Sequence, residues 1–168
     1  MTILAAPVLA SLLGLAAAGL LAGSAQAQSL RQQAVGTWTL VSVTVDGPAK
    51  SEPYGPSPHG MLFLDDSGRF SVSIVRAGVP KFAANNRTKG TEAENAAAVH
   101  GSLNYFGTYT IDEADKSITV KIEASSYPNF EGVSQKRQLA IAGDELKVIN
   151  AAPSGGGGVA TQVWKRAK

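Results

Sequence analysis

The sequence predicts an all-β protein in which eight antiparallel strands close into an up-and-down barrel with one short helix. Three observations predict this class: about eight extended segments follow an apolar leader, several of them alternate apolar and polar residues, and short turns join many neighbours. Closing such a sheet removes its exposed edges and leaves space for one small ligand. An open sandwich is the alternative, but it needs long cross-connections that the turns at 65–68, 113–116 and 143–144 do not provide.

The first 27 residues have the features of a secretory signal peptide. An uncharged run rich in Leu and Ala, residues 3–23, leads to Ser24-Ala25-Gln26-Ala27, which has small residues at 25 and 27. We therefore expect a signal peptide over 1–27, one barrel domain over 28–168, and a periplasmic or secreted protein with no stable membrane span after leader removal. The alternative is a retained anchor, because the run just reaches the roughly 20 residues that span a bilayer.

The composition excludes several classes of partner. The chain has 15 Lys and Arg against 13 Asp and Glu, and a net charge of +2 gives no ground for a nucleic-acid partner. There is no cysteine, and the two histidines, His59 and His100, lie far apart in the sequence, so we expect no metal site. No phosphate loop, dinucleotide fingerprint or nucleophile elbow occurs, so we expect no cofactor.

Residues 36–46 predict the first strand, because the run is rich in β-branched residues. Gly36 lets the chain turn into this strand, and strict alternation puts Trp38 and Leu40 on one face, with Trp38 filling the floor of the barrel. The same alternation assigns the opposite face to three valines, Val41, Val43 and Val45. Both faces of the strand therefore carry apolar groups.

The other predicted strands are 61–64, 69–77, 102–112, 117–125, 133–142, 145–150 and 159–166. Between the third and fourth, Thr91 and Glu94 form a capping-box pattern, which predicts a helix that ends at Gly101. Residues 47–60 hold four prolines and three glycines, so we expect a long ordered loop there.

Several short motifs resemble those of a known family. Gly36-Thr37-Trp38 looks like the Gly-x-Trp opening of lipocalins, and Trp164-Lys165-Arg166 stands where lipocalins close with a basic residue over that Trp. A longer series resembles the bacterial and fungal lipocalin-like domain family over about residues 35–165: Glu52-Pro53-Tyr54-Gly55-Pro56, His59-Gly60-Met61-Leu62, Pro80-Lys81-Phe82, Tyr105-Phe106-Gly107-Thr108-Tyr109 and Tyr127-Pro128-Asn129-Phe130.

The resemblance implies a lipocalin-like barrel in which Gly36, Trp38, Trp164 and Arg166 are structural. It implies no single activity, because members of the family have none in common and function transfers poorly from fold.

Arg137 is the first candidate site residue. It shares a predicted strand face with Leu139 and Ile141, which puts a cation among apolar neighbours. If that face is interior, the guanidinium needs a carboxylate, a Tyr hydroxyl or an anionic ligand group, because an unpaired buried charge is too costly. The alternative is a structural pair or an arginine at the barrel rim. The same two interpretations apply to Arg76, which ends an apolar row of the third strand.

Aromatic and polar residues supply the remaining candidates. Tyr105 and Tyr109 share one strand face and are candidates for pocket walls, with ordinary barrel core as the alternative. Tyr54, Tyr127, Asn129 and Phe130 lie on connecting segments, where a pocket entrance could be built, with loop packing against proline as the alternative.

These observations predict an exported protein that binds a small hydrophobic or amphipathic molecule inside its barrel, with Arg137 orienting the polar end. One alternative is a barrel enzyme of the isomerase or cyclase type, in which a Tyr or His59 acts as acid or base. The other is a structural barrel whose interior is filled by side chains.

Overall fold

The computed structural model describes residues 28–168, and the predicted signal peptide lies outside the described residues. Each strand pairs antiparallel with the next one in the chain, and the last strand pairs back with the first. This order confirms the up-and-down barrel and excludes the open sandwich. The strands are β1 (Gly36–Asp46), β2 (His59–Leu64), β3 (Arg69–Val75), β4 (Ser102–Asp112), β5 (Ser117–Ser125), β6 (Ser134–Ala142), β7 (Glu145–Asn150) and β8 (Val159–Arg166).

Three short helical segments accompany the strands: α1 (Leu30–Ala34), α2 (Glu92–His100) and a 3₁₀ turn (Pro128–Phe130). Capping boxes start both α-helices, from Ser29 in α1 and from Thr91 in α2. The helix predicted from Thr91 is thus confirmed. Among residues 28–168, no helix is long and apolar enough to cross a membrane.

The two ends of the barrel differ in how they are covered. Helix α1 and the short turns at 65–68, 113–116 and 143–144 lie at one end, here called the base. The longer connections, which contain α2 and the 3₁₀ turn, lie at the other end, here called the mouth. The long connections of the described chain therefore lie at the mouth.

Strand β1 departs from strict alternation. Its pairing with β8 shifts between Leu40 and Ser42, which is the sign of a β-bulge. Val41 is 49% exposed, whereas Val43 is 3% exposed and Val45 is also buried, on the same interior face as Leu40. The prediction that the three valines share a face is therefore wrong, because the extra residue at the bulge reverses the alternation beyond it.

Three strand boundaries also differ from the sequence prediction. β2 begins two residues earlier, at His59, β6 begins one residue later, at Ser134, and β3 ends at Val75 instead of continuing to 77. As a result Arg76 does not extend the interior row of β3. It lies in the connection that follows and is exposed.

At the base, Arg166 ties α1 to the barrel. Its guanidinium carbon lies 4.2 Å from the centre of the Trp38 ring. Its Nη2 donates to the Gln33 carbonyl at 2.6 Å and its Nη1 to the Val35 carbonyl at 3.2 Å. The Trp38 indole N–H donates to the Ala34 carbonyl at 2.8 Å. These bonds satisfy carbonyl groups at the end of α1, which otherwise lack partners.

Gly36 is required beside this contact for two reasons. Its φ of +135° is rarely adopted by residues that carry a side chain, and a Cβ placed there would lie 3.0 Å from the Arg166 Nη1 atom. Trp164, on β8, is fully buried and packs in the same core.

We expect Arg166→Met to lower the free energy of unfolding by about 2 kcal/mol, because it removes the contact with Trp38 and both bonds to carbonyls. The measurement is urea denaturation at neutral pH. Lys165→Met is the matched control, since Lys165 is exposed on the same strand, and its expected effect is within about 0.5 kcal/mol. Equal losses in the two variants would show that Arg166 does not hold α1.

Candidate functional site

The barrel interior contains a cavity of about 20 Å³. Eight apolar side chains from five strands line it, and the other lining residues are Arg137 of β6 and Gln162 of β8. A volume of this size holds about one water molecule. The interior is thus almost filled by side chains, and any larger molecule requires some of them to move.

Arg137 is a buried cation in this interior. Alternation along β6 directs Gln135, Arg137 and Leu139 to the same side, and the Arg137 residue is only 5% exposed. Its Nη1 donates to the Tyr105 hydroxyl at 2.6 Å, and its Nη2 donates to the Gln135 side-chain oxygen at 2.5 Å. Both partners are neutral. The charge is therefore held by hydrogen bonds without a counterion on either acceptor.

One nitrogen of this guanidinium has no hydrogen-bond partner. The Arg137 Nε is buried and has no hydrogen-bond partner in the part of the chain that the structure describes. Nor does any carboxylate of residues 28–168 lie within 4.0 Å of the guanidinium nitrogens. A buried cation with an unused donor is costly, and most native interiors avoid it.

A column of aromatic rings runs from the interior to the mouth. Tyr105 lies between Phe70 and Phe130, with ring centres 5.8 Å and 5.9 Å away, and Phe130 in turn meets Tyr127 at 5.1 Å. All three contacts are edge-to-face, the favoured geometry for such pairs. Phe130 belongs to the 3₁₀ turn and is 8% exposed, so it closes the mouth side of the aromatic column.

Tyr54 and Arg76 lie at the mouth beside Tyr105. Burial raises the pKa of the Tyr54 hydroxyl above its usual 10.0, Tyr105 raises it further, and the positive charge of Arg76 opposes the rise. Arg76 also donates from Nη2 to the Pro53 carbonyl at 2.5 Å, which fixes the loop that carries Tyr54. The shift favours the protonated form of the Tyr54 hydroxyl, which can donate a hydrogen bond.

Tyr109 lies at the other end of the barrel, away from this group. Its hydroxyl donates to the Asp65 carbonyl at 2.5 Å, and the Arg31 guanidinium lies 5.6 Å from the centre of its ring. Both partners belong to the base. Asn129 is exposed on the 3₁₀ turn at the mouth.

The structure therefore brings Arg137 and Tyr105 into direct contact, with four other predicted residues around the mouth: Tyr54, Arg76, Tyr127 and Asn129. Phe130, which the sequence placed at the pocket entrance, packs against Tyr105. The structure also adds three residues that the sequence did not assign to the site: Phe70, Gln135 and Gln162. The two glutamines had a signal, since each is a polar residue on a strand face that is otherwise apolar except for one arginine.

The site has the chemistry of a binding pocket for an acceptor group. The Nε–H of Arg137 is a buried hydrogen-bond donor, and the cavity that Arg137 lines is apolar apart from Gln162. In the described part of the chain, no group of three or more His, Cys, Asp or Glu side chains is placed to hold a metal ion.

A closed, eight-stranded, antiparallel up-and-down barrel with a mainly apolar interior has the architecture of a lipocalin. A family model described as a lipocalin-like domain matches residues 35–167, and the chain belongs to this family. The resemblance inferred from the sequence motifs is thus confirmed.

The chain is also similar to a fungal protein whose name states what it carries. It is 30% identical over 89 residues to the 4'-hydroxy-3'-methoxypropiophenone carrier protein of Aspergillus oryzae (strain ATCC 42149 / RIB 40). The match covers 49% of this chain and 80% of that protein.

We expect Arg137→Met to leave the free energy of unfolding unchanged or to raise it by about 1 kcal/mol. The reason is that the desolvation penalty of a buried charge without a counterion is about as large as the stabilisation from its hydrogen bonds to neutral groups. Met is the closest unbranched apolar match in length. The measurement is again urea denaturation. A loss of more than about 2 kcal/mol would mean that Arg137 is a structural group of the barrel.

Proposed function

We propose that the protein binds and carries a small hydrophobic or amphipathic molecule inside its barrel, with Arg137 orienting the polar end. The single observation that supports this most strongly is the buried guanidinium, whose Nε has no partner among residues 28–168. A barrel filled only by its own side chains would be at least as stable with an apolar side chain at this position, because burying a charge carries a large desolvation penalty. The apolar lining and the named carrier among its relatives support the same function.

Ligand uptake requires the mouth to open, since about 20 Å³ is far smaller than an organic ligand. Phe130 is the side chain best placed to move. It sits on a short turn outside the strands, whose backbone bonds to the wall are those between Ile122 and residues 132 and 133, and Gly132 adopts a φ of +74° with no atom near its Cβ direction. Moving this turn breaks fewer bonds than separating two strands of the wall. Displacement of Phe130 also enlarges the space beside Tyr105.

We also propose that residues 1–27 direct export and are removed, so that the protein acts in the periplasm or outside the cell. The support is the apolar run and the Ala25-Gln26-Ala27 pattern. We expect the protein recovered from the periplasm or medium of a bacterial host to have the intact mass of the chain that begins at Gln28. Recovery only from the membrane fraction, with the leader attached, would contradict export as a free protein.

We expect one molecule of N-phenyl-1-naphthylamine, a neutral apolar fluorophore, to bind in each barrel. Trp38 and Trp164 are the two tryptophans of the chain, and both are fully buried in the barrel core. Energy transfer from them to the fluorophore is therefore the measurement, because it reports binding in the barrel more than binding at distant surfaces. A filled structural barrel predicts no saturable transfer.

Phe130→Ala tests the route of uptake in the same assay. Removing the ring that closes the mouth should raise the association rate about tenfold, since binding that waits for a conformational change is slow. Phe106→Ala is the matched control, because it removes an aromatic ring that is 46% exposed on the outer face of β4. Equal rates in both variants and the wild type would show that ligands enter elsewhere.

A further inference from the structure

Arg166 and Arg137 differ in the charge of the groups around them. Arg166 donates to the carbonyls of Gln33 and Val35, and its Nε lies 3.7 Å from an Asp144 carboxylate oxygen. Arg137 is more deeply buried, yet within residues 28–168 it bonds only to neutral oxygen atoms. Arg166 therefore has both carbonyl acceptors and a nearby carboxylate. Arg137 has no anionic partner in the described residues.

The carboxylates that form ion pairs in the described chain are committed elsewhere. Glu123 pairs with Arg69 at 2.6 Å, Asp115 with Lys136, and Glu145 with Lys147 at 3.3 Å. All these side chains are at least 40% exposed, so they lie on the outer surface and not in the interior. A counterion for Arg137 therefore has to come from a molecule that enters the barrel.

Two donors stand next to each other where that anion would bind. The first is the Arg137 Nε–H. The second is the Tyr105 hydroxyl, which accepts the bond from Arg137 at 2.6 Å and donates to no acceptor within residues 28–168. Adjacent donors beside a positive charge favour an oxyanion over a neutral oxygen, because charge-assisted hydrogen bonds are about twice as strong as neutral ones.

The rest of the wall limits what the anion can be attached to. Apart from Arg137 and Gln162, the cavity lining is apolar. A sugar or a nucleotide would leave hydroxyl or phosphate groups without partners against that wall. Phe70 and Phe130 already pack edge-on against Tyr105, so a flat apolar body can pack in the same way once Phe130 moves.

We infer that the ligand is an amphipathic oxyanion, a carboxylate or phenolate on an apolar body, bound through the Nε–H of Arg137 and the hydroxyl of Tyr105. The inference rests on the proposed function, since it requires a ligand inside the barrel. Affinity then depends on the ionisation of the ligand: it is lost as the pH falls through the pKa of the ligand acid. Protonation removes the charge of the ligand and turns one of its acceptor oxygens into a donor. That donor would then face the two donors of the protein, the Nε–H of Arg137 and the hydroxyl of Tyr105.

Matched acids and amides test whether the ligand can be a carboxylate, through their competition with N-phenyl-1-naphthylamine. Three pairs cover different sizes: benzoate and benzamide, cinnamate and cinnamamide, octanoate and octanamide. Each pair has nearly the same shape and differs in charge. At neutral pH the acid of at least one pair should compete about tenfold better than its amide, which corresponds to about 1.4 kcal/mol.

4-Nitrophenol tests whether the ligand can be a phenolate, because its visible absorption shows which ionisation state is bound. Binding on Arg137 should shift its spectrum toward the phenolate at a pH where the free compound is mainly protonated. 4-Nitroanisole, which has no ionisable proton, is the matched neutral compound and should compete less well.

Variants identify the group responsible. Arg137→Met should abolish the preference for anions while neutral N-phenyl-1-naphthylamine still binds, and Tyr105→Phe should weaken the preference in a protein that keeps the guanidinium. Lys136→Met is the control: this exposed neighbour on β6 pairs with Asp115, so its removal should leave the preference unchanged.

The outcomes separate the two proposals. Binding of the neutral fluorophore without any preference for anions in either experiment, or a preference that survives Arg137→Met, overturns the oxyanion inference and leaves the carrier function standing. No binding of any probe to the wild-type protein overturns both.

Discussion

A positive charge enclosed without a counterion is the constraint around which this barrel has to be understood. Sheet closure leaves no edges and makes the interior a dry compartment. Inside such a compartment the guanidinium of an arginine still carries its positive charge. Arg137 therefore has to be stabilised by what surrounds it. Its described surroundings supply two neutral oxygen atoms, the Tyr105 ring with its centre 5.3 Å from the guanidinium carbon, and a wall that is apolar except for Gln162. The mismatch between group and surroundings points to a ligand.

The two ends of the barrel divide stability and function between them. At the base, Arg166 over Trp38 closes the structure with satisfied carbonyls and a fully buried ring. At the mouth, closure depends on the ring of Phe130 on a short turn and on the loop that carries Tyr54. Elements held by few bonds open at the lowest free-energy cost, so exchange with solvent belongs at the mouth. The nearly filled interior and a carrier function are compatible for this reason.

Much of the architecture follows from local patterns in the sequence. Alternation in β5, short turns and a capping box at Thr91 were enough to predict the barrel and α2, since each depends on neighbouring residues alone. The bulge in β1 was not predictable, because a run of alternating valines fits either phase and only pairing with β8 selects one.

The site was predictable only in part. Sequence placed Arg137 on an apolar face, but it could not find Tyr105 as its partner. Arg137 is paired with Ile118 on β5, which is paired with Ile111 on β4, six residues along from Tyr105. The contact depends on strand tilt and on the length of the arginine side chain. Tyr109 shows the converse: it shares a face with Tyr105 but lies about 13 Å further along the strand, at the base.

The ¹H–¹⁵N NMR signal of the Arg137 Nε–H, assigned by its absence in Arg137→Met, tests most directly whether a ligand anion binds this buried guanidinium. We expect a single signal that moves progressively as cinnamate is added and moves much less at the same concentration of cinnamamide, because a carboxylate is a stronger acceptor for this buried donor than an amide oxygen. A signal that does not move while cinnamate displaces the fluorophore would contradict the account. In that case the ligand would occupy the barrel without using the charge.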